Sequence, residues 1–124
     1  MKKQRPVNLD IGTIQLPLAA LTSITHRVSG VVIFGGMAIL LYFFNLSLSS
    51  ADGFAEAQAM LGNALVKLLI WIVLSALGYH LIAGCKHLVM DLGIGESKEG
   101  APVGAKIVIA ISAILAVILG VWLW

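Results

Sequence analysis

One histidine of this chain, His80, lies deep inside a long apolar stretch. In a helix it would stand about 9 Å before Lys86, the next charged residue, at about 1.5 Å of rise per residue. Ala76 and Gly84 lie one turn away on either side of it, on the same helical face. An ionisable side chain at this depth in an apolar helix is costly, so His80 is expected to have a specific partner.

Two kinds of partner suit a buried imidazole. A neutral imidazole in a low-dielectric setting is a good iron ligand, and the small residues beside His80 leave room for a flat, bulky group. The first interpretation is therefore an axial ligand to a b-type haem held between helices. The second is a packing histidine that forms a hydrogen bond to a neighbouring helix. The residues alone leave both open.

The other two histidines are poorer candidates for the same iron. His87 shares a helical face with His80 but lies about 10.5 Å further along the axis, so the two cannot both approach one metal to about 2 Å. His26 stands at the edge of the first apolar stretch and is expected to lie too close to the membrane surface. A six-coordinate haem is therefore expected to take its second histidine from another chain. The single cysteine, Cys85, is expected to be a packing residue.

A second group of polar residues precedes the first apolar stretch. Ser23 and Arg27 are four residues apart and share a helical face, and Gly30 follows one turn later. The arginine fork suits carboxylates, such as the propionates of a haem, and the serine hydroxyl can donate to a quinone carbonyl oxygen. Equally, Arg27 could be a cytoplasmic anchor whose charge reaches the headgroups, and Ser23 could cap the start of a helix.

These candidate residues belong to a chain that is suited to a membrane. Of its 124 residues, 60% are hydrophobic and 11% are charged, and the net charge is +2. A soluble domain carries about 25% charged residues, so this composition excludes a soluble globular enzyme. It equally excludes a disordered chain and a nucleic-acid-binding protein. We expect one small membrane domain.

Three stretches without charges are long enough to cross a bilayer as helices. Residues 28–51 would span about 36 Å, against a hydrocarbon core of about 30 Å, and two shorter stretches cover 68–85 and 107–124. Because backbone groups in lipid must be paired within the segment, the stretches predict an all-α fold. The expected helices extend beyond the charge-free limits, to about 22–49, 58–90 and 102–124. A short turn at 47–53 and a glycine-rich loop at 93–102 are expected to join them.

The positive charges predict the orientation of these helices. Lysine and arginine prefer the cytoplasmic side, and seven of them precede the first span or lie around the second connection: Lys2, Lys3, Arg5, Arg27, Lys86, Lys98 and Lys106. The first connection has no such cluster, and Lys67 falls at the outer end of the second span. The N-terminus is therefore expected in the cytoplasm and the C-terminus on the outer side.

The third span carries a stripe of small residues, Ser112, Ala116 and Gly120, at successive turns. Such a stripe lets another helix approach closely. The approaching helix could belong to this chain or to a partner.

Taken together, these segments resemble the cytochrome b membrane subunit of bacterial succinate dehydrogenase, the larger anchor subunit of complex II. Three segments carry the resemblance: Arg-Pro-Val-Asn-Leu-Asp at 5–10, Ser-Ile-Thr-His-Arg-Val-Ser-Gly at 23–30, and His-Leu-Ile-Ala-Gly-Cys-Lys-His at 80–87, followed by Met90 and Asp91. The resemblance covers nearly the whole chain and includes the three spans.

The resemblance implies a set of roles. His80 corresponds to an axial haem ligand, and the other ligand comes from the smaller hydrophobic anchor subunit. Ser23 and Arg27 correspond to residues of the ubiquinone site, and His26 and Arg27 lie at positions close to the haem propionates. No ligand role is implied for His87.

The implied protein is a multi-pass subunit of the bacterial inner membrane, with a periplasmic C-terminus and a helical bundle shared with the second anchor subunit. Electrons from succinate would arrive through a flavoprotein and an iron–sulfur subunit and reduce ubiquinone. The chain would carry no dehydrogenase chemistry of its own. Two alternatives stand beside this one: a haem-free membrane anchor, and the anchor of a menaquinone-linked fumarate reductase.

Overall fold

The computed structural model describes residues 7–124, which form four α-helices. These are α1 (Leu18–Ser49), α2 (Ala51–Leu61), α3 (Ala64–Asp91) and α4 (Gly100–Leu123). Helices α1, α3 and α4 are long and apolar enough to cross a membrane, so the predicted all-α fold with three spans is confirmed. Lys2, Lys3, Arg5 and the first two residues of the 5–10 segment lie outside the described residues, and the orientation stays a prediction.

The second span differs from its prediction, since the expected helix 58–90 is interrupted. Residues 58–61 end α2, and α3 begins only at Ala64. The reason is local capping. The Asn63 side chain accepts hydrogen bonds from the backbone of Leu65 at 2.9 Å and Val66 at 3.4 Å, which starts a new helix there.

The turn expected at 47–53 is reduced to one residue between two helices. Ser50 has an extended backbone and its hydroxyl accepts from the Gly53 amide at 2.9 Å, which caps α2. On the other side of the bundle, the glycine-rich loop ends earlier than expected. Helix α4 already begins at Gly100, and Pro102 lies in its first turn, where a proline is tolerated.

Helix α3 is central, because it packs against both α1 and α4. The buried apolar core is small and contains no large aromatic residue within 7–124; its members are Ala57, Ile70, Val73, Ala83, Ala105 and Val108. Large apolar side chains point outward instead, as Phe34 does with 86% exposure. Most of the apolar surface is therefore left for lipid or for other helices.

Glycines allow the helices to approach closely where the core is thin. A Cβ atom on Gly36 of α1 would lie 2.5 Å from Cγ1 of Val73 on α3. A Cβ atom on Gly78 of α3 would lie equally close to Leu115 of α4. Neither position has room for a methyl group, so both contacts depend on the missing side chain.

The small-residue stripe on α4 packs within this chain. The indole nitrogen of Trp71 on α3 donates a hydrogen bond to the Ala116 carbonyl at 2.8 Å. A Cβ atom on Gly120 would lie 3.4 Å from the same nitrogen. Of the two alternatives for the stripe, the contact with another helix of the chain is thus confirmed for Ala116 and Gly120.

The contact between α1 and α3 gives a stability prediction with a matched control. Gly36→Ala should lower the free energy of unfolding by about 1–3 kcal/mol, because the added methyl overpacks Val73. Gly35→Ala, one residue away on α1, should leave stability nearly unchanged, since nothing lies within 4 Å of its Cβ position. Denaturant titration of both variants in mixed micelles measures the difference. Equal stability of the two variants would contradict the packing described here.

Candidate functional site

Three histidines meet between α1 and α3. The rings of His26 and His80 stack with centroids 4.0 Å apart and planes 15° from parallel. The ring of His87 lies 5.1 Å from that of His26. The sequence placed His26 at the edge of the first apolar stretch, and the structure brings its ring against that of His80. Helix α1 begins at Leu18, so His26 lies about 12 Å into the helix, at the level of His80.

Hydrogen bonds between its ring and α1 hold His80 in place. Its Nδ1 atom lies 3.0 Å from the backbone carbonyl oxygen of His26 and 3.0 Å from the Ser29 hydroxyl. The same hydroxyl donates to the His26 carbonyl at 2.6 Å. Nδ1 of the imidazole, a hydroxyl and a main-chain carbonyl therefore form a closed triangle.

The triangle determines which ring nitrogen carries the proton. A carbonyl oxygen can only accept a hydrogen bond, so His80 Nδ1 must be the donor toward His26. The single proton of Ser29 is already given to that carbonyl, so the hydroxyl oxygen can only accept from Nδ1. A neutral His80 then has its lone pair on Nε2, which makes no hydrogen bond within residues 7–124. This is the arrangement that a metal-ligating histidine usually has.

A groove of about 430 Å³ runs beside the histidines. Its lining residues are His26, His80, Leu81, Gly84, Cys85, His87 and Leu88. All of them except His26 belong to α3, so α3 forms one side of the groove and α1 contributes only His26. A flat ligand in this groove would need its second wall from elsewhere.

The small residues beside His80 do not all face this groove. Gly84 lines it, and a Cβ atom there would lie 3.5 Å from Nε2 of His26. Ala76, expected to flank the same space, instead lines a neighbouring groove of about 610 Å³ together with Tyr79 and Ser29. Cys85 is exposed beside the histidines and lines the same groove, and its packing role stays a prediction.

One buried polar atom of the cluster has no partner among the described residues. Nε2 of His26 is buried and makes no hydrogen bond among the described residues. A buried ring nitrogen without a partner costs free energy, and such an atom in a native protein calls for an explanation. A polar group entering the groove beside Gly84 would supply one.

Two stacked histidines of this chain are not placed to grip one haem from both sides. Axial ligands point their nitrogens at each other across the macrocycle, with the metal about 2 Å from each. The face-to-face stack of His26 and His80 leaves no such space between the rings. A ligand from another chain stays a prediction.

Ser23 and Arg27 lie apart from the groove, on the first turns of α1. Ser23 is half-buried and Arg27 is exposed, and neither makes a side-chain hydrogen bond or an ion pair with the rest of 7–124. Ser23 is not a helix cap, since α1 starts at Leu18 with Pro17 at the cap position. Both side chains are free to meet a ligand or a partner at this end of the bundle.

Sequence reasoning assigned no role to two residues that position the site. Ser29 binds His80, as described above, and Tyr79 ties α3 to α1. The Tyr79 hydroxyl donates to the Thr22 carbonyl at 2.9 Å and also meets the Thr25 hydroxyl. Tyr79 precedes His80 directly, which was the only sequence signal for it.

Comparisons with known proteins identify the family of the chain. Residues 1–119 match the family model described as succinate dehydrogenase/fumarate reductase transmembrane subunit. The chain is 42% identical to the succinate dehydrogenase cytochrome b556 subunit of Coxiella burnetii, over the full length of both proteins. The subunit of the same name from Paracoccus denitrificans is 33% identical, over 92% of this chain and 88% of the relative. The resemblance inferred from the sequence is confirmed.

The Tyr79 contact predicts a modest loss of stability in a conservative variant. Tyr79→Phe removes the hydroxyl that links α3 to α1 and should cost about 0.5–1.5 kcal/mol of unfolding free energy. Tyr42→Phe is the matched control, because Tyr42 is 51% exposed on α1 and makes no side-chain hydrogen bond within 7–124. Unfolding in mixed micelles compares the two. An equal effect of both changes would show that the Tyr79 hydroxyl does not hold the helices together.

Proposed function

This chain belongs to the family of succinate dehydrogenase/fumarate reductase transmembrane subunits, and from that premise we propose what its site does. The chain is a membrane anchor subunit of succinate dehydrogenase. In that complex it holds a b-type haem through His80 and takes part in the reduction of ubiquinone with electrons from succinate. The haem-free anchor is the structural alternative.

The observation that carries the proposal is the hydrogen bond from His80 Nδ1 to the His26 carbonyl, 3.0 Å long. It leaves Nε2 as the basic nitrogen of the ring, and that is the atom an iron would take. A packing histidine could form the same hydrogen bond, so the proposal also depends on Nε2, which has no hydrogen-bond partner within residues 7–124. His80 also lines a groove that is large for a side chain and open to a second wall.

The residues around His80 suit the rest of a haem. His26 brings a buried, unpartnered Nε2 to the groove, which fits a propionate oxygen as hydrogen-bond partner. Arg27, the next residue of α1, lies apart from the groove and offers its exposed guanidinium fork to a carboxylate at this end of the bundle. When bound, the haem takes up and releases single electrons, with a potential that the axial ligands and the surrounding hydrogen bonds tune. His87 is assigned no ligand role.

A second ligand to the haem iron would come from the smaller hydrophobic anchor subunit. The stacked rings of His26 and His80 leave no space for a macrocycle between them. Residues 7–124 do not provide the wall of the groove opposite α3, so a helix of that subunit would supply both the wall and the ligand.

Ubiquinone binds near Ser23 and Arg27, at the end of α1 that is expected to face the cytoplasm. The half-buried Ser23 hydroxyl donates to a quinone carbonyl oxygen. Arg27 stabilises negative charge, either the charge that develops on the reduced quinone or the charge of a haem propionate. Electrons arrive through the flavoprotein and iron–sulfur subunits, so this chain supplies binding and positioning rather than dehydrogenase chemistry.

The setting is the inner membrane of a bacterium, with the N-terminus in the cytoplasm and the C-terminus in the periplasm. The family description also covers fumarate reductase, but the relatives compared above are named as succinate dehydrogenase subunits. Measuring which quinone the purified complex reduces separates ubiquinone-linked succinate oxidation from a menaquinone-linked fumarate reductase.

The ligand assignment predicts a spectral change in one histidine variant. His80→Ala should remove or shift the Soret and reduced α bands of the complex purified in mild detergent, because the iron loses an axial nitrogen. His87→Ala is the matched control on the same face of α3, and its complex should keep the axial ligation. An unchanged spectrum in His80→Ala would favour the haem-free role for this residue and defeat the assignment.

The quinone assignment predicts a split between two activities. Ser23→Ala should lower quinone reduction by about 3- to 10-fold and Arg27→Ala by about 10- to 100-fold, the effects of a neutral and a charged hydrogen bond. Succinate oxidation with a soluble artificial acceptor should remain, because it bypasses this chain. Arg27→Lys should retain part of the activity, since it keeps the charge but loses the fork.

Ser47→Ala serves as control for the serine, because Ser47 lies at the opposite end of the same helix. Equal loss of both activities in the Ser23 and Arg27 variants would indicate misassembly and contradict a quinone site there.

A further inference from the structure

We propose that Ser29 is a positioning residue for His80, and that its hydroxyl tunes the imidazole through Nδ1. This inference rests on the proposed function, in which His80 ligates haem iron. It adds a residue to which neither the sequence reasoning nor the comparisons assign a role. Ser29 does not touch the iron; it acts on the ligand from the opposite nitrogen of the ring.

The hydrogen bonds at Ser29 run in a definite direction. Ser29 is buried, with 6% exposure, and lies on the face of α1 that meets α3. Its only proton goes to the His26 carbonyl at 2.6 Å, so its oxygen offers lone pairs to His80 Nδ1 at 3.0 Å. The Nδ1 proton is therefore shared between two oxygen acceptors, a main-chain carbonyl and this hydroxyl.

The hydrogen bonds of Ser29 go beyond those that a helical serine forms within its own helix. A serine in a helix often donates to the carbonyl three or four residues before it, without any further partner. Ser47 on the same helix does this, since its hydroxyl donates to the Phe44 carbonyl at 2.8 Å. Ser29 makes the same local bond and in addition accepts from an imidazole on another helix. The second contact is what distinguishes the two serines.

Helix α1 also lets the His80 ring approach its backbone closely. The residue after Ser29 is Gly30, and a Cβ atom there would lie 3.1 Å from Cε1 of His80. Helix α1 thus presents a hydroxyl and a bare backbone side by side to the imidazole. This combination brings the ring close enough for hydrogen bonds and limits its rotation about Cβ–Cγ.

The chemical consequence follows from the acceptor role. A hydrogen bond accepted from the far nitrogen of a ligating imidazole makes that ligand more basic. A more basic ligand stabilises the oxidised iron over the reduced iron. Removing one acceptor should therefore move the haem midpoint potential to more positive values and weaken haem retention. Loss of such a partner weakens metal affinity by about 10- to 100-fold, and because the His26 carbonyl remains, we expect about tenfold here.

The experiment uses the whole detergent-purified complex and compares Ser29→Ala with Ser47→Ala. Redox titration of the haem band and the rate of haem transfer to apomyoglobin are the readouts. We expect a positive shift of the midpoint potential and about tenfold faster haem loss in Ser29→Ala, and no change in Ser47→Ala. Equal shifts in both variants would overturn the proposal, because the effect would then belong to the local helix bond.

Two further variants keep the test decisive. Ser29→Thr retains the hydroxyl and should restore the potential; the groove beside Ser29, lined by Thr25 and Val32, has room for the methyl group. Ser29→Cys keeps a side chain of similar size, but its sulfur is a weak hydrogen-bond acceptor. It should therefore shift the potential in the same direction as Ser29→Ala. The cysteine variant provides the readout if the alanine complex does not assemble. An unchanged potential in the assembled Ala or Cys complex would overturn the proposal, whatever the yield.

The failure of this inference and that of the proposed function are distinguishable. If His80→Ala changes the haem spectrum while the Ser29 variants leave the potential unchanged, the ligand assignment stands and the role of Ser29 is lost. If His80→Ala leaves the spectrum unchanged, the ligand assignment itself has failed.

Discussion

A single interhelical hydrogen bond, from the His80 imidazole to the main-chain carbonyl of His26, is the constraint on which the site depends. It places the proton of a neutral ring on Nδ1 and leaves Nε2 basic. The acceptor is a backbone atom, so helix α1 itself, and not a replaceable side chain, determines the tautomer. In a surrounding of low dielectric constant such a bond is stronger than in water, and leaving it unmade is correspondingly costly.

The bond requires α1 and α3 to lie close together, and the sequence allows this with small residues. Gly30 faces the His80 ring and Gly36 faces Val73, one above the other along the same helix. Tyr79 adds a side-chain tie beside the imidazole. The site and the packing of the bundle are therefore one arrangement: a change that separates the helices also releases the ring.

Much of the architecture could be predicted from the sequence, because lipid enforces helices on long apolar stretches. The position of His80 inside an apolar helix could also be predicted, and it indicated a specific partner because burying an imidazole among apolar residues costs free energy. The break at Asn63 was missed because capping is a local hydrogen-bond effect that hydropathy does not register. The stacking of His26 on His80 was not predicted, because it depends on how α1 and α3 pack and not on spacing along either helix. The role of Ser29 depends on a contact between α1 and α3, and the spacing of residues along the sequence does not reveal such a contact.

The central claim is that His80 binds the iron of a haem shared with another subunit, through Nε2. Electron cryomicroscopy of the purified complex at a resolution that shows side chains tests it most directly. The account predicts a flat macrocycle bonded to His80 Nε2, with Nδ1 still within hydrogen-bond distance of the His26 carbonyl and the Ser29 hydroxyl. A map in which the His80 ring packs only against aliphatic side chains, with no macrocycle beside it, would contradict the claim.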